Sequence, residues 1–243
     1  MHIMTLVTAS PTPSRSFSRN PIRAFYQSSI GKKITVAVTG IILIVFVIGH
    51  LLGNLEIYLG QDHTNWYAEF LRSTGPLLWI VRIILILAVM VHIVATIQLT
   101  VENLRAKPGR YAVKARQAST FASRTMIYSG LLVLCFVIYH LLHFTFQTTN
   151  PEFRTLTDAQ GRHDVYHMVI LGFRQPLISL FYILALFLLS LHLSHGFASV
   201  TQTLGINNRK ISGLISNGGR VLCWIIFAGY ISIPITILLG LLK

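Results

Sequence analysis

The stretch Ile34–Leu59, ITVAVTGIILIVFVIGHLLGNLEIYL, is an apolar run that contains only two ionisable side chains of the carboxyl or imidazole type, His50 and Glu56. At about 1.5 Å per residue, an α-helix of this length crosses the roughly 30 Å hydrocarbon core of a membrane. Four more long apolar runs follow along the chain: Leu77–Val101, Met126–Phe146, Leu177–Leu204 and Val221–Leu242. With 53% hydrophobic and 11% charged residues among 243, the chain is too apolar for a soluble domain. The sequence predicts an all-α polytopic membrane protein with five transmembrane helices.

The lysine and arginine residues are distributed unevenly between the two predicted membrane faces. Fourteen of the twenty lie before the first predicted helix, between the second and third, or between the fourth and fifth. Because short cytoplasmic loops are enriched in basic residues, this bias predicts a cytoplasmic N-terminus and an outer C-terminus. Orientation in a membrane accounts for the net charge of +13, so no nucleic-acid partner is expected. The predicted location is the inner (cytoplasmic) membrane, crossed several times.

The chain divides into a short tail and one membrane domain. Residues 1–21, rich in Ser, Pro and Arg, are predicted to form a loose cytoplasmic tail, and residues 22–243 a single transmembrane domain. The basic segment Glu102–Arg124 is predicted to be a cytoplasmic loop and docking surface, and the polar segment Gln147–Pro176 an outer loop. The absence of CxxC and CxxCH motifs gives no support for a cysteine-ligated cluster or covalently attached haem.

Histidine is the residue type that carries the functional signal. Six of the ten histidines lie in predicted transmembrane segments, and these are His50, His92, His140, His143, His192 and His195. Ionisable side chains at membrane depth are costly and usually face a bundle interior, so each of the six is a functional candidate. Any one of them could instead form a hydrogen bond to a neighbouring helix.

The predicted depths of four histidines fall on two levels. His50 and His140 lie on outward-running helices, about 24 and 21 Å from the inner edge. His92 and His192 lie on inward-running helices, each about 22 Å from the outer edge. One pair is therefore near the outer face and the other near the inner face.

Two facing histidine pairs at two depths suit two six-coordinate haems stacked across a membrane, with the irons about 15 Å apart along the membrane normal. Histidine on both sides of an iron leaves no site for oxygen and favours electron transfer. Four helices would form the haem-binding bundle, and the fifth, which has no histidine, would pack beside it. His143 and His195 each follow a predicted ligand by three residues. They are expected to contact haem propionates, a quinone or a neighbouring helix, and not to bind iron.

Several short motifs surround these histidines. They are SSIGKK at Ser28–Lys33, GHLLGNL at Gly49–Leu55, YHLLHF at Tyr139–Phe144, and HLSHGF at His192–Phe197 followed by QTLG at Gln202–Gly205. With these motifs the sequence resembles the five-helix cytochrome b subunit of succinate dehydrogenases and quinol:fumarate reductases, especially the single-subunit, two-haem anchors. The resemblance covers most of the chain after the tail. It is weakest around the second predicted helix, where the histidine matches with little surrounding motif.

The resemblance implies two haem b groups, a distal one held by His50 and His140 and a proximal one held by His92 and His192. It implies a flavoprotein subunit that oxidises succinate and an iron–sulfur subunit that passes electrons to this membrane anchor. Electrons would then reach a quinone in the lipid membrane, with menaquinone expected. No flavin or cluster motif is present in this chain, so it is not expected to oxidise succinate alone.

A quinone site is expected beside the distal haem, where protons must be exchanged together with electrons. The resemblance favours Glu69, in the predicted loop after the first helix, as the protonating residue, and Glu56 is the alternative. Trp66 and Tyr67 are expected to line the ring pocket. A site beside Ser28 and Ser29, next to the iron–sulfur subunit, is the other possibility.

Two other functional classes remain open from the sequence. Intramembrane histidines could form the proton relay of a proton-coupled membrane transporter. The chain could also be a structural anchor without haem. A reduced-minus-oxidised absorption spectrum distinguishes these classes from a cytochrome.

Overall fold

The computed structural model describes residues 20–106, 121–206 and 212–243. Within these ranges the chain forms eight α-helices, which are α1 Pro21–Gln27, α2 Ser29–Leu55, α3 Gln61–Ser73, α4 Pro76–Arg105, α5 Phe121–His140, α6 Val165–Phe173, α7 Pro176–Thr203 and α8 Ser212–Leu238. Five of them, α2, α4, α5, α7 and α8, are long and apolar enough to span a membrane. The predicted all-α fold with five transmembrane helices is confirmed. Residues 1–19 of the predicted tail and most of the predicted docking loop Glu102–Arg124 lie outside the described residues. The last two residues of the predicted tail, Asn20 and Pro21, belong to the start of α1.

Local sequence signals explain where several helices begin. Asn20 Oδ1 accepts a hydrogen bond from the Ile22 N–H at 3.0 Å, and Pro21 occupies the first position of α1. Ser28 links α1 to α2, because its Oγ accepts from the Gly31 N–H at 2.9 Å and donates to the Phe25 carbonyl at 2.7 Å. α4 and α7 each begin with a proline, at Pro76 and Pro176.

The long helices pack around α2 and α7. α2 contacts α4, α7 and α8, while α7 also contacts α5. The fifth transmembrane helix, α8, therefore lies against α2 and α7 beside the histidine-bearing helices. The close approach of α8 to α2 depends on Gly229, where a Cβ atom would meet Leu51 Cδ2 at 3.0 Å. Below, the end of the bundle that carries α1 is called the α1 side, and the opposite end the α3 side.

The outward surface of the bundle is apolar. On α4, the exposed side chains include Leu77, Ile80, Ile84, Leu87 and Met90. Such a surface would aggregate in water but is satisfied by lipid tails, and backbone groups are paired within each helix. The protein is a multi-pass membrane protein.

Two segments that the sequence predicts as loops contain helices. After α2, the 3-10 turn Glu56–Leu59 leads through Gly60, at φ 94°, into α3. The predicted outer loop Gln147–Pro176 contains the 3-10 turn Pro151–Thr155 as well as α6. Helix α6 is too short to span a membrane, and it instead inserts buried side chains between α7 and α8. Length alone therefore gave no indication of these two helices.

Asn65 ties α3 to the segment before α6. Its side chain is fully buried and donates to Asp158 Oδ2 and Asp164 Oδ1, both at 3.1 Å. Its Oδ1 accepts from the Tyr166 N–H at 3.0 Å. We call this set of contacts, with Arg162, the Asn65 clasp, since Arg162 donates to Asp158 at 2.7 Å and to an aspartate on α3 at 2.6 Å.

Asp164 is the most densely bonded carboxylate of the clasp. Burial alone would raise its pKa, but hydrogen bonds from the His167 N–H and side chain, from Asn65 and from Gln61 outweigh burial. The pKa of Asp164 therefore lies below its ordinary value. The clasp is built around an ionised carboxylate.

Candidate functional site

The α3-side pair consists of His50 on α2 and His140, the last residue of α5. Their ring centroids are 5.8 Å apart and the rings are inclined at 79°. Two imidazoles that bind one metal through bonds of about 2 Å have centroids roughly 6 Å apart. The spacing of this pair is therefore compatible with a shared metal between the rings.

Aromatic side chains surround the α3-side pair. Phe46 stacks on His50 at 5.3 Å, and Phe136 and Phe144 lie within 6.0 Å of the His140 ring. The Nδ1 atom of His140 is buried and has no hydrogen-bond partner among the described residues. Because an unpaired buried polar atom is costly, a group that would interact with His140 fits this site.

The α1-side pair consists of His92 on α4 and His192 on α7. His92 Nδ1 lies 3.1 Å from Thr39 Oγ1 on α2, and His192 Nδ1 lies 3.1 Å from Ser129 Oγ on α5. The two imidazoles are within electrostatic range of one another. Each ring is thus held at Nδ1 by the hydroxyl of a neighbouring helix, which leaves Nε2 as the candidate ligand atom.

Glycines bring backbone close to the α1-side rings. A Cβ atom at Gly40 would meet His92 Cε1 at 3.6 Å, and one at Gly130 would meet His192 Cε1 at 3.2 Å. These contacts also locate the pair in depth. Gly40 precedes His50 on α2 by ten residues, and Gly130 precedes His140 on α5 by ten, which corresponds to about 15 Å in each helix. The two pairs therefore occupy levels about 15 Å apart, in agreement with the depths expected from the sequence.

The two remaining membrane histidines have different surroundings. His143 lies in the π-helical turn Leu141–Thr145, is 1% exposed, and its Nδ1 is 3.0 Å from the Tyr182 hydroxyl on α7. Of the three contacts expected for His143, this one is the contact with a neighbouring helix. His195 is partly buried and makes no hydrogen bond within the described part of the chain. Its predicted role therefore stays a prediction.

Neither pair forms a complete metal site from protein atoms alone. Among the described residues, no group of three or more His, Cys, Asp or Glu side chains could hold a metal ion. A metal between two histidines needs further ligands, and the planar macrocycle of haem supplies four of them. The paired histidines and the glycines close to the α1-side rings fit such a group.

The predicted quinone residues separate into two groups on the α3 side. Glu56 is partly buried, and its Oε2 lies 2.7 Å from His63 Nδ1. Tyr67 packs on α2 beside Gly53, where a Cβ atom would meet the Tyr67 hydroxyl at 2.8 Å. Glu56 and Tyr67 therefore lie next to the α2 segment that carries His50.

Glu69 and Trp66 lie farther out. Both are exposed on α3, with Trp66 stacked on Phe70 at 5.8 Å. Glu69 contacts no partner in the described ranges. His63 is the residue of this region that the sequence analysis missed. Its spacing of seven residues from Glu56 gave no signal, because a 3-10 turn and a glycine separate the two.

On the α1 side, Ser28 is occupied as a helix cap, and Ser29 begins α2 with an exposed side chain. Nearby, Lys32 is buried and pairs with Glu102 of α4. Tyr26 donates to Gln98 Oε1 at 2.8 Å, so α1, α2 and α4 are joined at this end. The sequence did not predict the ion pair. The ion pair nevertheless explains why Glu102, alone among the acidic residues, lies on the α1 side.

Together, the fold and these two sites define a multi-pass helical membrane protein with two partly buried histidine pairs at separate depths. A scan against protein-family models and searches of curated proteins and of solved structures found no match to this chain.

Proposed function

We propose that this chain is the membrane-anchor cytochrome b subunit of a succinate:quinone oxidoreductase. His50 and His140 would hold one haem b, and His92 and His192 a second. The observation that carries the proposal is the meeting of four histidines from four helices as two pairs, on levels about 15 Å apart. The motifs that resemble the two-haem anchors support the choice of this class of cytochrome.

A haem b held by two histidines would supply a one-electron carrier without a free coordination position for oxygen. The chain itself supplies the surroundings. The aromatic rings at the α3-side pair exclude water, while Thr39 and Ser129 hold the α1-side imidazoles at Nδ1. Both pairs are partly buried between helices. The low polarity of these surroundings would influence the reduction potential of a bound haem.

The orientation and partners follow from charge and from the family resemblance. The α1 side would face the cytoplasm and contact an iron–sulfur subunit, which in turn binds the flavoprotein that oxidises succinate. The α3 side would take a quinone, with menaquinone expected. Glu56 and Glu69 are the candidate proton-exchanging groups there, with Trp66 and Tyr67 beside the ring. A quinone beside Ser28 and Ser29 is the alternative.

The experiment is a reduced-minus-oxidised spectrum of the purified chain, with pyridine haemochrome quantification. The expected result is haem b α-bands and about two haems per chain, falling to about one in His50→Ala and in His92→Ala. His195→Ala is the matched control for His192→Ala, because His195 lies on the same helix and should leave both haems in place. Co-purification of flavin and iron–sulfur subunits from the native membrane tests the assignment to succinate oxidation.

Other results would contradict the proposal. Absence of haem bands, together with solute flux in vesicles, would favour a transporter. Absence of both would favour a structural anchor. Loss of one haem in His195→Ala but not in His192→Ala would exchange the roles assigned to those two histidines.

A further inference from the structure

Thr39 and Ser129 are placed alike at the two α1-side histidines. Each hydroxyl oxygen lies 3.1 Å from the Nδ1 atom of its histidine, His92 or His192. Each comes from a different helix than the ring it contacts. The same arrangement thus occurs twice, on opposite parts of the bundle and at one level.

The hydrogen of each hydroxyl already has another acceptor. Thr39 Oγ1 donates to the Thr35 carbonyl at 2.8 Å, with the Val36 carbonyl at 3.1 Å. Ser129 Oγ donates to the Met126 carbonyl at 3.0 Å. A hydroxyl has one hydrogen and two acceptor lone pairs, so towards the imidazole each oxygen acts as acceptor.

An oxygen that accepts requires the ring nitrogen to donate. With the hydroxyl hydrogens on those carbonyls, both Nδ1 atoms carry the hydrogen, and in a neutral imidazole the lone pair is then on Nε2, the atom that would bind iron. Metal-bound histidines commonly donate their other ring N–H to such a partner, which fixes the tautomer and raises the basicity of the ligand nitrogen.

The α3-side pair has no comparable acceptors. His140 Nδ1 is buried without a hydrogen-bond partner among the described residues, and His50 makes only ring contacts there. Neither of the two nearby phenols forms a hydrogen bond with the His50 or His140 ring among the described residues. Tyr182 bonds to His143, and Tyr230 donates to a backbone carbonyl of α2 at 2.7 Å.

We propose that Thr39 and Ser129 are positioning residues that fix the Nδ1–H tautomers of His92 and His192 and selectively lower the reduction potential at the α1-side haem. The inference rests on the proposed function. An acceptor at Nδ1 makes the imidazole a stronger donor through Nε2, and a stronger donor stabilises ferric over ferrous iron. The aromatic surroundings of the α3-side pair supply no such effect.

The test is a potentiometric titration of the purified haem-loaded protein, recorded by absorbance and by the low-spin ferric resonance. His92→Ala identifies which midpoint belongs to the α1-side haem. Ser129→Ala removes the acceptor at His192, whereas Thr39→Val removes one of two at His92, because the Val36 carbonyl also forms a hydrogen bond with that ring. Each variant should raise the reduction midpoint potential of the α1-side haem by up to about 59 mV. For a one-electron couple, this shift is a tenfold change in the ferric-to-ferrous ratio. The α3-side midpoint should not move, and Thr39→Ser should restore the wild-type value.

Two matched controls change a hydroxyl that does not reach a ring. Thr96→Val lies on the helix of His92, and Thr96 Oγ1 bonds only to the His92 carbonyl at 2.7 Å. Ser190→Ala lies on the helix of His192, and Ser190 Oγ bonds to the Cys223 carbonyl at 3.4 Å. Both controls should titrate like the wild type.

Each outcome decides the inference. Loss of only the α1-side haem in Thr39→Val, with recovery in Thr39→Ser, supports it, since outer partners of metal ligands often contribute 10–100-fold to affinity. Wild-type midpoints in both Thr39→Val and Ser129→Ala, or equal shifts of both haems, would overturn it while leaving the proposed function intact. A wild-type chain that binds no haem would overturn both. If Thr39→Val does not fold, Ser129→Ala alone decides by the same criteria.

Discussion

Replacing Asn65 by alanine should detach α3 from the rest of the α3 side without disturbing the histidine pairs. The amide of Asn65 is fully buried and bridges two carboxylates and the Tyr166 N–H. Asn65→Ala leaves the buried Tyr166 N–H without its acceptor and takes one donor from Asp164. Because the clasp joins residues about a hundred positions apart in sequence, no local contact replaces these bonds.

The size of the effect follows from two of these hydrogen bonds. A bond to an ionised group contributes about 1.5–3 kcal/mol, and an unsatisfied buried N–H costs about 1–3 kcal/mol. For Asp164 and Tyr166 together, the expected destabilisation of the α3 side is about 2.5–6 kcal/mol. Amide hydrogen exchange on α3 and α6 should therefore accelerate by about two to four orders of magnitude, at about 1.4 kcal/mol per tenfold change, if exchange follows local opening.

The assay is hydrogen exchange with mass spectrometry on the detergent-solubilised protein, together with the haem spectrum. Exchange in α2, α4 and α7 should remain near wild type, and so should haem content. Asn150→Ala is the matched control, because Asn150 makes a single exposed hydrogen bond to Glu152 at 2.9 Å. Unchanged protection of α3 in Asn65→Ala would refute the assigned role of the clasp. Equal acceleration in all helices would show that the α3 side does not open as a separate unit.

Three further predictions concern carboxylates. Glu56→Gln and Glu69→Gln should lower quinone-linked turnover while preserving the haem spectra, and normal turnover in both variants would leave the α3 side without its proposed proton donor. The lowered pKa of Asp164 means that its stabilising contribution is present above the unfolded value of about 3.9 and is lost as pH falls through the lower folded value. Protection of α3 should therefore persist to about pH 4 and fall below it, and a loss near pH 6 would assign control to another group. Glu102→Gln should lower the free energy of unfolding by about 1–2 kcal/mol, because the buried Lys32 loses its charged partner. The loss is limited because Glu102 is 45% exposed, and an unchanged melting temperature would contradict this prediction.

Most of the fold was predictable because transmembrane helices are encoded locally. Each long apolar run meets the length requirement of the bilayer by itself, and the backbone must pair within its own helix in lipid. The levels of the histidines were predictable for the same reason, since a helix converts residue number into depth at a constant rise. Helices α3 and α6 were not predicted. Both are short. α3 is held by the clasp and by contacts with α6 and the 3-10 turn Glu56–Leu59, while α6 also packs against α7 and α8.

The contacts around each histidine were decided by tertiary structure. His143 follows His140 by three residues in the sequence, but only the packing of α5 against α7 shows that the Tyr182 hydroxyl forms a hydrogen bond with the His143 ring. In the same way, residue spacing cannot show that the hydroxyls of Thr39 and Ser129 reach imidazoles 53 and 63 residues away. The five helices long enough to cross a membrane, and the two levels of the paired histidines along them, could be predicted from the sequence because both depend on local periodicity and length. The side chain that meets each ring nitrogen could not, because that contact depends on how each helix is rotated about its axis and packed against its neighbours.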